Sequence, residues 1–554
     1  MNIVFSPTCF GLDRTIKFGY GGCVRIESQE ALVGTVFEAE MIVSMARGIV
    51  DDMQAGLFRS GYSSIIRESH DASCAVLLSD GSLAAQKVVL PIHIGAFPAV
   101  IAGVLARYPV DEIRDGDVFL SNSPWEGGSP HSPDFAVAVP VFCDDRLVAF
   151  AASIAHKSDI GGAAPGSCPA TARDTFFEGL HIPPVKLLSS GKENKEAFAL
   201  LRGNSRAPEL VIGDLEGQIG VCSLGSDRIR QLFDRFGIDL TLFAFDHYRR
   251  ETQRRIEQRL QELNDFEGTA ERFIDHDGID LETPKGIRVR VTKTGKSITF
   301  DFSDSDPQGT GPVNVRPHLV KAACSYVMIA ITGIDTPVNQ GVFDCFNLET
   351  REGTVVDPYY PAPVNTYNPA LHAIIESIFA AFGDSAPQFA RADGGGGRAM
   401  TLAHVIDRKT LIQYELFAGG VGAMQGYDGE TGCHCNQTNG KVTSIEMLET
   451  EFPIRAEEFK VLTNSGGEGT FRGGCGFVRT YRILDGVTSV TLRSSKHGIH
   501  PLGVNGGGDA RGGFCEVEVS GTTTRLASMQ SGVMLRPGDR LSLGTPGGGG
   551  YGSG

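Results

Sequence analysis

The chain has 554 residues, 41% of them hydrophobic, with 66 acidic against 50 basic side chains and a formal net charge of −16. That length exceeds one ordinary domain and allows substantial cores, while the acidic balance excludes general affinity for nucleic acid, which needs a cationic face to displace counterions. No apolar run reaches the ~18 residues of a membrane span, and the N-terminus lacks the charged-then-apolar order of a secretory signal, so a cytoplasmic protein with no membrane contact is expected.

Residues 1–30 read as an extension of two short strands around "GYGG". From Gln29 to Ser64, Val33, Phe37, Met41, Met45, Ile49, Met53 and Leu57 recur at helical spacing, which predicts one long amphipathic helix or a broken pair. "HDASCAVLLSDGSLAAQ" (70–86) switches to alternation around "SDG", a hairpin signal. "PIHIG" places His93 in an apolar strand context, where a core histidine competes with a functional one. "FPAVIAGVLARY" reads as a helix.

The stretch "NSPWEGGSPHSPDFAVAVPVF" (122–142) runs from a polar, broken loop into an apolar strand, with His131 and Asp134 at the junction. "LVAFAASIAH" (147–156) reads as the next buried strand and ends on His156. If a hairpin near "CDDR" (143–146) joins the two as antiparallel neighbours, the start of one strand lies beside the end of the next. Two imidazoles and a carboxylate would then converge, a minimal donor set for a divalent metal with positions left open. The competing reading is three ordinary loop residues that cap and turn the backbone. Asp71, after His70, and Asp159, in "SDIGG", could each supply a further ligand, fix a histidine tautomer or act as general base. Either could equally be a turn carboxylate.

Residues 170–270 read as mostly helical, and the arginines of "HYRRETQRRIEQRLQEL" (247–263) alternate with Glu and Gln as on a solvated helix face. "KGIRVRVTKTGKSITFDFSDSD" (285–306) is a second hairpin region, and "HLVKAACSYVMIAITGI" and "LHAIIESIFAAFG" read as helices. From about Leu411 strands and glycine turns dominate. The expected fold is α+β, multi-domain, with mixed sheets and helices and a β-rich, Gly-rich C-terminal part. Its segments are a strand extension (1–30), an α+β region with the metal candidates (31–190), a central helical and hairpin region (191–410) and the Gly-rich end (411–554).

Other chemistries find little support. The twelve cysteines contain no CxxC pair and read as packed thiols. The cluster Cys433-His434-Cys435 has no second pair nearby, so packing is favoured over metal binding. "GGGGR" (394–398) and "SGGEGTFRGG" (465–474) match neither a phosphate loop nor a dinucleotide fingerprint and are expected to serve turns and close sheet packing. A nucleophile elbow GxSxG is missing, and Cys74 and Cys168 carry no local signal for a catalytic thiol.

"GDVFLSNSPWEGGSPHSPD", "AHKSDIGGAAPGSCP", "FFEGLHIPPVKL", "NSGGEGTFRGGCG" and "TPGGGGYG", in this order from about residue 30 onward, resemble the hydantoinase B/oxoprolinase family. The chain departs from the family pattern at Ser123, Pro130 and Lys157, where Asp, Thr and His are usual. The resemblance implies that His131, Asp134 and His156 hold a divalent metal (Zn, Mn or Fe), with Asp71 placed to serve the site. It also implies a separate actin-like, ATP-using subunit of the hydantoinase A type in a hetero-oligomer. That subunit would phosphorylate the oxygen of a cyclic amide such as a hydantoin, 5-oxoproline or a lactam. The metal in this chain would lower the pKa of a water and deliver hydroxide to the activated carbon, with Asp71, Asp159 or His93 assisting. Two alternatives stay open: the metal subunit of an ATP-dependent ketone carboxylase, and a non-catalytic assembly subunit.

Overall fold

The computed structural model describes residues 14–17, 23–26 and 29–554, apart from 88, 334–337, 384 and 397. The fold is α+β. Strands Arg14–Lys17 and Cys23–Ile26 pair as expected, while "GYGG" between them lies outside the described residues. The helical spacing that follows forms one continuous helix, Gln29–Ser60, of 32 residues. Its buried face carries Ala39, Ile42, Val43, Ala46, Val50, Met53 and Leu57, three or four residues apart, as a helix needs to seat one stripe in a core.

A seven-stranded sheet forms the first half of the chain. Its order is Leu83–Gln86, Ala72–Leu78, Arg146–His156, Asp134–Cys143, Val118–Ser121, Val185–Ser189 and Lys192–Glu193, and every neighbour is antiparallel. The central strands are buried on both faces, which is why their sequences read as unbroken apolar runs. Cys74, Val76, Val137 and Val139 pack toward the layer containing Gln29–Ser60 and Pro208–Phe236. Ala75, Leu77, Ala136, Ala138 and Ile154 face the opposite core, shared with helices His93–Arg107, Pro317–Thr332 and Asn368–Phe382. That core also includes Met529 and Tyr551, so it draws on three of the four expected segments. Asp144 and Asp145, both at positive φ, make the tight turn anticipated at "CDDR".

Helices Lys195–Gly203, Pro208–Phe236 and Ile238–Gln261 follow. The basic stretch lies on the last of these, where Arg254 and Arg255 both pair with Glu251 on the solvated face. Strands Phe266–Ile274, Lys285–Thr294, Ser297–Asp301 and Phe346–Glu349 build a second sheet. Two further sheets enclose a C-terminal core, the first beginning at Arg398–Ile406, somewhat earlier than the sequence suggests. Among the described residues no helix is long and apolar enough to cross a membrane.

The Gly-rich segments supply the close packing expected of them. Gly420, Gly473, Gly474 and Gly548 belong to extended stretches lying backbone against backbone. The Gly548 N–H donates to the Gly474 carbonyl at 2.9 Å, and the Gly467 N–H donates to Gly548 at 2.8 Å. A Cβ on Gly473 would lie 1.7 Å from the Gly548 oxygen, and one on Gly548 would lie 2.0 Å from the Val421 oxygen. Glycine is needed here for approach distance rather than for φ. Gly548→Ala should lower stability by about 1–3 kcal/mol, the cost of overpacking, read as an earlier thermal unfolding transition.

Candidate metal centre

Strand register builds the centre. Asp134 is the direct partner of His156, and Ala72 pairs with Ala155, which brings Asp71 beside His156. Asp71, His156 and Asp134 therefore form a row across three adjacent strand ends. The backbone N–H of His156 donates to the Asp71 carbonyl at 3.1 Å. His131 completes the group from the preceding turn, where the Asp134 N–H donates to its carbonyl at 2.9 Å.

His131 Nε2 lies 3.2 Å from Asp134 Oδ1, His156 Nδ1 lies 3.1 Å from the same oxygen, and the two nitrogens are 3.1 Å apart. Among the described residues no other group of three or more His, Cys, Asp or Glu side chains converges in this way. Such edges suit three donors on one face of a divalent cation with bonds of about 2.1–2.2 Å. The remaining His131 nitrogen, Nδ1, is 3.0 Å from the Asn365 carbonyl, so Nδ1 keeps a proton and Nε2 is the nitrogen that would give up its proton to present a lone pair to a cation. All three side chains are buried.

The charges fit the same role. Burial opposes charge on His131, yet the Asp134 carboxylate raises it to about 10. Burial pushes His156 down to about 4. Asp134 is held below the usual carboxylate range against burial, by His131 first and His156 second. One proton thus compensates one carboxylate among three converging donors, the position a cation would take.

Asn365 ties the centre together. Its Oδ1 accepts from the Ser132 N–H at 3.0 Å and its Nδ2 donates to the Ser167 carbonyl. Its own N–H, with that of Val364, donates to Glu178 of "FFEGLHIPPVKL". Asn365→Leu keeps the carbonyl that holds His131 but removes the side-chain ties that fix its place. It should weaken metal binding by about tenfold, the lower end for a disturbed orienting partner, measured by competition with a chelating dye.

The cavity at the centre holds about 30 Å³ of water-accessible space, and is lined among others by Asp71, His93, His131, Asp134, Tyr367, Asn368, Tyr414, His434 and Gln437. Burial and then the Asp134 carboxylate push the Asp71 carboxyl up to about 7. His93 lines the cavity too, but it opens helix His93–Arg107 rather than sitting in a strand, and burial pushes it down to about 4, so it is neutral. Tyr414 stacks on His156 with ring centres 4.6 Å apart. The structure does not bring Asp159 there. Its carboxylate accepts from the N–H groups of Gly161, Gly166 and Arg206 and pairs with the Arg206 guanidinium at 3.0 Å, which shapes the 159–167 loop. Lys157, one residue past His156, points to the other face of the sheet, where Nζ donates to Gln218. That departure from the family pattern lies behind the cavity rather than in it. Cys433 and Cys435 join no donor cluster, whereas His434 between them reaches the cavity. Sequence reasoning missed Tyr367, Asn368, Tyr414 and Gln437, which carry no local motif.

The sequence profile of the hydantoinase B/oxoprolinase family matches residues 36–554. The chain belongs to the hydantoinase B/oxoprolinase family. Among family relatives, an uncharacterized protein of Methanocaldococcus jannaschii is 32% identical over 93% of this chain and 90% of its own length. A putative D-/L-hydantoinase subunit of Pseudomonas sp. strain NS671 is 28% identical over 93% of this chain and 89% of its own. The crystal structure of the ATP-dependent caprolactamase from Pseudomonas jessenii superposes with a TM-score of 0.84 at 25% identity, covering 93% of this chain and 91% of that one. A nucleotide-free acetone carboxylase structure shares the fold, with a TM-score of 0.81 at 18% identity over 93% of this chain and 75% of that one.

Proposed function

We propose that this chain is the metal-bearing, hydrolytic subunit of a heteromeric, ATP-dependent cyclic amidohydrolase that opens hydantoin, 5-oxoproline or lactam rings. The observation that carries the reading is the convergence of His131 Nε2, Asp134 Oδ1 and His156 Nδ1 within 3.2 Å beside a cavity-lining carboxyl, Asp71. Two named relatives support it, one a putative hydantoinase subunit and one an ATP-dependent caprolactamase.

A cyclic amide is a poor electrophile because its nitrogen donates into the carbonyl. Phosphorylation of the oxygen by an ATP-using partner subunit would remove that protection. Water adding to the carbon would let the C–N bond break as the ring nitrogen takes the proton of the new hydroxyl, and a second water would release phosphate from the acyl phosphate left behind. His131, Asp134 and His156 would hold a divalent ion (Zn, Mn or Fe), which would supply Lewis acidity and lower the pKa of a water. Asp71, raised toward neutrality by burial, takes the proton from the attacking water. Neutral His93 offers a ring nitrogen to the same space.

Copurification with an ATP-using partner subunit of the hydantoinase A type and assay with a cyclic amide and labelled bicarbonate tests this. The expected result is ring opening dependent on both subunits and ATP, with no label in the product. Stable carboxyl labelling of a ketone would instead make the chain a carboxylase subunit, and a complex that keeps full activity with a His131→Ala, His156→Ala chain would make it an assembly subunit.

A further inference from the structure

The cavity that His131 and Asp134 line also carries unsatisfied polar atoms. Gln437 is 2% exposed, and neither its Oε1 nor its Nε2 has a partner. Beside it in the cavity lining, His434 Nε2, Asn368 Oδ1 and His93 Nδ1 are likewise buried and unpartnered. Buried side-chain polar atoms are normally satisfied, and a site with such groups is complete only when a ligand supplies the missing donors and acceptors. Asp71, His131 and Asp134 line the same cavity. Burial keeps His434 and His93 uncharged, down to about 4 each, while the Arg398 guanidinium, which also lines the cavity, is engaged by the Gly544 and Ser495 carbonyls.

A carboxamide with both ends free offers a donor and an acceptor along one edge. Its complement is a second edge of that kind. In a linear secondary amide the N–H and C=O point in opposite directions, because the bond is trans. Closure into a small ring forces the amide cis and puts both groups on one side. A ketone has the acceptor but no donor.

We propose that Gln437 is the specificity residue of this site, pairing edge to edge with the cis N–C–O group of a small cyclic amide. The proposal rests on the amidohydrolase reading and adds to it how the ring is told from linear amides and ketones. When the ring oxygen is phosphorylated its nitrogen loses the proton and accepts instead, and Gln437 Nε2 then donates to it. Asn368 and His434 serve the substituents flanking that edge. The space of about 30 Å³ suits a water or two and not a ring, so the irregular segment 434–438 must give way as the ring enters.

Saturation-transfer NMR titration of the metal-loaded full chain with 2-pyrrolidinone and N-methyl-2-pyrrolidinone tests this. Wild-type protein should bind the N–H lactam at least about tenfold more tightly than its N-methyl analogue. Gln437→Met, close in shape, should lose that preference while keeping metal content and circular dichroism unchanged. The wild-type comparison changes only the ligand, so it stands even if the variant fails to fold. Equal binding of the two lactams by wild type, absence of lactam binding, or a preference kept in Gln437→Met would each overturn the pairing. Those outcomes leave the metal-centre tests untouched. Conversely, a complex that fixes bicarbonate while its chain still shows the Gln437-dependent preference would sink the hydrolytic reading and keep the pairing.

Discussion

Asp134→Ala protein, purified alongside wild type, will carry less than a tenth of the wild-type metal, and its complex will turn over about 10³-fold more slowly. The magnitude follows from the several kcal/mol that a metal contributes to charge stabilisation, at about 1.4 kcal/mol per decade of rate. Asp134 is the shared vertex of the triangle, 3.1 Å from one imidazole and 3.2 Å from the other. Without it the two rings face each other with no anion between them, and the proton that Asp134 holds on His131 is lost. Metal uptake by wild type must displace that proton, so loading will release close to one proton and affinity will rise with pH. Plasma emission analysis and proton release in weak buffer check both points. Full metal content in Asp134→Ala would remove the assignment.

The second large effect belongs to Asp71. Asp71→Asn should retain metal yet lower kcat by about 10²–10⁴-fold, the range of a lost general base. The sign of the pH dependence follows from the raised carboxyl. Asp71 accepts a proton only when ionised, and burial beside Asp134 lifts its titration to about 7 without metal. A bound cation favours the carboxylate and moves this lower. Activity should therefore climb with pH along a limb at or below about 7, and Asp71→Asn should abolish the limb. A limb that persists in the variant would assign it to another group.

The near wall of this centre was legible in the sequence because its parts are local. The strands ending at Cys143 and starting at Arg146 are joined by a two-residue turn, so apolar runs and the "DD" pair sufficed to place His156 beside Asp134. The far wall was not legible. Tyr367, Tyr414 and Gln437 arrive from more than 200 positions away, and long-range packing leaves no periodic trace in a sequence. Asp159 misled because a carboxylate that gathers backbone N–H groups is written with the same letter as one that moves protons. His93 misled because a short apolar run fits strand and helix alike. The family resemblance reached the metal candidates, and His434 was noticed only as part of a cysteine cluster.

The glycine stack has an evolutionary consequence. Every single-base change in a glycine codon that alters the residue and keeps the reading frame open yields a side chain with a Cβ, and at Gly473 or Gly548 that atom meets a main-chain oxygen at 2.0 Å or less. No neighbouring side chain can shrink to accommodate it, because the obstacle is itself backbone. Drift at these positions costs stability in every direction at once, and a second mutation of a neighbouring side chain cannot remove the obstacle. This part of the chain changes only at a cost to stability, whereas side chains that line the cavity can be exchanged without meeting that obstacle.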